Sequence, residues 1–158
     1  MRTKLKTFEV IARRAYQFTE ATARSAEFHP FEERNISATL PSIVRQLFDD
    51  GHFAQATFEA FKFVDKEVQR HSRLSESGFK LMMQAFSDTT PSIRLNSLSS
   101  TSEKDEQKGV QFLFAGSMLA IRNPRGHEVA LKDDVDDCLD HLALVSMLLR
   151  RLAEAGYK

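Results

Sequence analysis

The chain lacks tryptophan, has one cysteine, and carries only six glycines and four prolines among 158 residues. A single cysteine, Cys138, excludes an intrachain disulfide. A chain of this length builds a sufficient core without one, and a reducing, cytoplasmic setting is the simplest expectation. A hydrophobic share of 42% excludes a disordered or membrane-like chain. Net charge is missing too, since 22 Lys and Arg balance 22 Asp and Glu. That balance argues against a polybasic coat for nucleic acid and leaves room for one local basic site. No apolar run reaches membrane length. The longest, Val110 to Ile121, contains Gln111 and Ser117. Charged residues interrupt the segment from Phe8 to Phe18, so neither a signal peptide nor a membrane contact is expected.

What is present is helical periodicity. Phe8, Ile11, Ala12, Ala15, Phe18 and Ala21 recur at three or four and predict a basic helix over 4–25. His29-Pro30 ends it. Leu40, Ile43, Val44, Leu47 and Phe48 predict a short helix over 40–49, started by Pro41 and closed at Gly51. The next runs from His52 to His71, with Phe53, Thr57, Ala60, Phe61, Val64 and Val68 as its stripe. Phe58 and Phe63 lie off that stripe, so this helix is expected to pack on more than one side. A shorter helix covers Phe79 to Phe86.

Residues 87–104 are rich in Ser, Thr and Asn and read as a long polar loop or an excursion off the core. Ser102 to Asp105 resembles an imperfect capping box. The helix after it is apolar nearly all round between Val110 and Ile121, which predicts the central, most buried helix. Asn123-Pro124 is expected to stop it. The last helix runs from about Lys132 to Ala155. Asp133, Asp134, Asp136 and Asp137 crowd its first turn, and Arg150 and Arg151 its last, as the helix dipole favours. No stretch alternates as a strand would, and no repeat is visible. The expectation is an all-α, antiparallel helical bundle in a single domain spanning 1–158, with an extra N-terminal helix inside 1–28 and the loop at 87–104.

One cluster carries chemistry. Arg122-Asn123-Pro124-Arg125-Gly126-His127, then Glu128, places several anion-binding groups on what reads as a Pro/Gly-broken turn between rigid helices. A guanidinium is always charged and grips phosphate in a fork. It stabilises charge developing on pentacoordinate phosphorus. An imidazole titrates near neutrality and can move the proton of a ribose 2′-hydroxyl or of the leaving oxygen. This is a metal-free route through phosphoryl transfer in RNA. Asn123 is placed to orient the ribose or the His ring, Glu128 to hold the imidazole, and Arg125 to bind phosphate. Spacing alone favours the plainer reading of an arginine partnering a helix end, an ordinary Asn-Pro stop and a solvated histidine.

The stretch Gly109 to Leu152 resembles the HEPN superfamily, small helical bundles marked by an Arg, often a polar residue, then a His after four to six residues. Arg122, Asn123 and His127 fit that spacing. Gly51-His52-Phe53 with Ala56 and Ala60 adds to the likeness, as do Ser77-Gly78 with Leu81-Met82 and Ala85-Phe86. Asp105 to Gly109, Leu113 to Gly116 and His127-Glu128 complete a resemblance to the Ymh-like branch, over roughly His29 to Leu152. The resemblance implies a metal-independent endoribonuclease of a toxin–antitoxin, abortive-infection or other phage-defence system, with an antitoxin or defence protein as a further partner. It also implies a homodimer whose Arg122 and His127 face a shared cleft, with Asn123 as the polar neighbour. No cofactor or metal is expected. The alternative is a non-catalytic HEPN-type module that binds RNA or a nucleotide, or dimerises within a defence complex. The acidic cluster at 133–137 reads as a charged first turn rather than a magnesium site, the thirteen Phe as mostly core, and Cys138 as a buried small hydrophobe.

Overall fold

The computed structural model describes residues 28–128 and 131–157. The helix expected over 4–25 lies outside them. The described residues are helical, with no strand among them: α1 (Pro30–Glu33), α2 (Ser42–Asp49), α3 (Phe53–Ser72), α4 (Gly78–Ala85), α5 (Thr101–Ser117), a π-helical turn (Met118–Arg122), α6 (Asn123–His127) and α7 (Val135–Glu154). The result is an all-α bundle. None of the described helices is long and apolar enough to cross a membrane.

The centre is α3, not α5. Ala56, Thr57, Ala60, Phe61, Val64, Asp65 and Val68 of α3 are buried. This helix packs against α2, α4, α7, the π-helical turn and α6. Small residues at 56 and 60 let neighbouring backbones come close, while Phe61 fills the space between them. From α7, Cys138, Leu142, Val145, Leu149 and Leu152 face the same core at the spacing the sequence shows. Gly51 supplies the left-handed residue that turns α2 into α3, with φ at 76°. Gly78 at φ 59° opens α4, and its N–H donates to the buried Asp65 carboxylate at 2.6 Å.

Three expectations need correction. First, α5 is only half covered. Phe112, Leu113 and Leu119 are 54%, 48% and 50% exposed. With Gly109, Gly116 and Ala120 they form one open apolar face along α5 and the π-helical turn. Helical periodicity measures apolar width, not which side finds a neighbour in the same chain.

Second, the polar loop stays with the core. Ile93 is fully buried, and its N–H donates to the carbonyl of Ala85. The buried Gln107 side chain donates to the carbonyls of Phe86 and Ile93 and accepts from the N–H of Leu95. Ser100 with Glu103, rather than Ser102 with Asp105, forms the capping box of α5. Glu103 also accepts from Ser97 and Ser99. These bonds hold its carboxyl down at about 2.

Third, Asn123-Pro124 does not end the helix. Proline lacks an N–H and its ring collides with the carbonyl four residues back. The chain widens by one π turn just before Pro124, with the Asn123 N–H reaching back to Met118, and the helical path continues to His127.

Candidate functional site

Arg122 closes the π-helical turn, and Asn123 to His127 form the short helix α6. The cluster is therefore helical rather than a broken turn. On an ideal helix a five-residue step turns roughly 140° and rises about 7.5 Å. Arg122 and His127 therefore do not share a stripe.

Arg122 is half-buried and held on two sides. Its guanidinium carbon lies 5.4 Å from the centroid of the Phe58 ring, over its face. Its Nη1 donates to Asn123 Oδ1 at 3.2 Å. Its Nε is buried without a hydrogen-bond partner. Asn123 thus orients the arginine. Its suggested alternative partner, the His127 ring, receives no bond from it. His127 is exposed, and no described residue hydrogen-bonds its ring. Glu128, expected to hold that imidazole, instead lines a groove of about 610 Å³ with His52, Gln55, Arg125 and Lys132. Its backbone N–H closes α6 on the carbonyl of Pro124.

Arg125 is turned away from its expected phosphate. Its Nε and Nη2 donate to the two carboxylate oxygens of Asp133 at 2.7 and 2.5 Å, and Nη1 donates to the carbonyl of Ile121 at 2.7 Å. The two side chains are 8% and 3% exposed. The fork that would grip an anion is already filled by a carboxylate of this chain. His141 Nδ1 lies 3.3 Å from Arg125 Nη2. Burial first, and then the Arg125 charge, push the His141 pKa below its ordinary value. Asp133 is accordingly not a first-turn dipole partner of α7. Asp134 caps that helix by accepting from the N–H of Asp137, and Asp136 and Asp137 supply the first-turn charge.

Phe58, off the main stripe, is expected from the sequence to give α3 a second packing side, but its spacing does not identify the partner. In the fold its ring lies under Arg122 and against Gly126. A Cβ added to Gly126 would meet Phe58 Cε2 at 2.9 Å. Only glycine lets the α6 backbone rest on that ring.

The arrangement offers one fixed, partly desolvated guanidinium, one exposed imidazole on the next helical turn, and an open apolar face on the helix that precedes both. A family model described as "Protein of unknown function (Hypoth_ymh)" matches residues 34–152. No curated protein and no solved structure matches the chain.

Proposed function

The chain belongs to the Hypoth_ymh family, whose description names no activity, and from its residues we propose a metal-independent endoribonuclease of HEPN type acting as a homodimer. The observation that carries the reading is the pairing of Arg122, fixed by Phe58 and Asn123, with the exposed His127 one helical turn on. The reaction needs a cation at the phosphate and a proton carrier at the ribose. The ribose 2′-oxygen attacks the adjacent phosphorus. The bond from phosphorus to the 5′-oxygen breaks, leaving a 2′,3′-cyclic phosphate and a 5′-hydroxyl. The proton lost from the 2′-hydroxyl and the proton gained by the 5′-oxygen pass through His127, while Arg122 stabilises the charged phosphorane.

The 140° separation supports a composite site. The open face of Phe112, Leu113, Leu119 and the small residues beside them ends at Ala120, two residues before Arg122. Two copies joined along it would bring two Arg122/His127 clusters near one another. The phage-defence or toxin role, with an antitoxin or other partner, is the setting the HEPN likeness suggests. The exposed, unheld His127 favours a second reading, a non-catalytic RNA-binding or dimerisation module.

Purified protein is expected to cleave RNA in EDTA and leave cyclic phosphate ends. His127→Ala and Arg122→Ala should each abolish cleavage and any growth toxicity while the far-ultraviolet spectrum is unchanged. Mixing the two inactive variants should restore activity, because a mixed dimer rebuilds one intact site. Cleavage that survives both substitutions refutes the assignment. A clean wild-type protein that binds RNA without cutting it selects the module.

A further inference from the structure

We infer that Phe58 is a positioning residue for the Arg122/His127 pair, and that Gly126 is glycine because that ring occupies the space a side chain would need. The inference rests on the ribonuclease reading for its catalytic consequence, while its geometric half stands alone. Phe58 belongs to α3, the best-packed helix of the bundle, yet its ring leaves the α3 core stripe and meets α6. It touches both ends of the cluster. The Arg122 guanidinium lies over its face at 5.4 Å. The backbone one residue before His127 presses on its edge, where an added Cβ would come within 2.9 Å of Cε2.

An aromatic face attracts a guanidinium without neutralising its charge. A carboxylate in the same place would neutralise the arginine, as Asp133 does to Arg125. The buried Nε of Arg122, with no oxygen partner, sits in a setting where the Phe58 ring is the polarisable neighbour. Phe58 therefore ties the orientation of Arg122 and the path of α6 into His127 to one rigid helix.

Two measurements test this. In solution NMR the Arg122 Nε–H and Cδ–H resonances should show ring-current shifts that Phe58→Leu abolishes. In steady-state cleavage, Phe58→Leu should lower kcat about 10- to 100-fold, the scale of a small misplacement of a reacting group, with KM little changed. Gly126→Ala should lower kcat similarly in the wild-type background and have little further effect in Phe58→Ala, where the obstructing ring is gone. A purely structural glycine in a helix predicts the reverse, since alanine favours helix. Unshifted Arg122 resonances overturn the inference. So does wild-type kcat for Phe58→Leu in an enzyme that His127→Ala inactivates, or simple additivity of the two substitutions. If the wild-type protein cuts no RNA, the ribonuclease reading falls, and the Arg122 resonances still decide the place of Phe58.

Discussion

Asp133→Ala should be among the most destabilising single substitutions in the bundle. Its carboxylate receives two short charged bonds from a guanidinium that is itself 8% exposed. Alanine leaves that cation with two neutral acceptors, the Ile121 carbonyl and the more distant His141 Nδ1. Removing one member of a buried pair typically costs about 3–5 kcal/mol. Summing two charge-assisted bonds at about 1.5–3 kcal/mol each leads to the same range. For a domain of this size that is a fall in Tm of about 6–20 °C. Urea unfolding followed by circular dichroism measures it directly. The double variant Arg125→Met with Asp133→Leu removes both charges and refills the space. It should return to near wild-type stability, because a buried pair has little advantage over a well-packed apolar one. If the protein binds RNA as proposed, the same double variant should keep that affinity and its salt dependence, since Arg125 is spent internally. A cost for Asp133→Ala below about 1 kcal/mol, the scale of an exposed pair such as Lys80 with Glu76, would refute the reasoning. A drop in the salt slope by about one for the double variant would return Arg125 to phosphate binding.

Stability should rise with pH through the histidine range. The pKa values of His141 and His71 lie below the ordinary 6.5 in the folded protein, so the unfolded chain binds protons first as pH falls below 6.5, and stability is lost from there down to the folded values. His141→Gln should reduce that slope in urea titrations between about pH 5 and 7, and an unchanged slope would remove His141 as a contributor. Cys138 is buried, with its pKa pushed up to about 11 by desolvation; it should react with a thiol reagent at neutral pH only as fast as the protein unfolds. Leu119→Glu, at an exposed position of the apolar face, should leave the fold intact and shift sedimentation from dimer to monomer, whereas a wild-type protein that is monomeric at micromolar concentration would leave that face without its proposed partner.

The helices that were legible are those whose apolar stripe and whose neighbour coincide. α2, α3 and α7 follow the spacing of Val44, Phe61 and Leu142 because those residues face one core. α5 misled because Phe112 and Leu119 are apolar on a side that none of the described helices covers. Arg125 misled for a different reason. A guanidinium advertises phosphate binding only when no carboxylate reaches it, and nothing in the local sequence says that Asp133, rather than Asp134, will turn inward. The choice is made by the cap. Asp134 takes the N–H of Asp137, and its neighbour is left pointing at the bundle.

The candidate site was legible as a set of residues and not as a shape. Pro124 and Gly126 each break helices in most settings, and together they read as a turn. Here each has a specific remedy. The π turn before Pro124 accommodates the ring, and Phe58 gives Gly126 a surface that any larger residue would disturb. Helicity then has a consequence that a turn would not. It separates Arg122 and His127 around the axis while fixing the backbone of both, so one copy presents a well-placed cation or a proton carrier to a given groove, but not both along one stripe. If two copies join along the exposed face of α5, as proposed, the second copy supplies the group that the first lacks. Fold, exposed face and site chemistry thus make one linked demand: if the Arg122/His127 cluster is catalytic, association must precede catalysis, and activity should fall with dilution before the fold does.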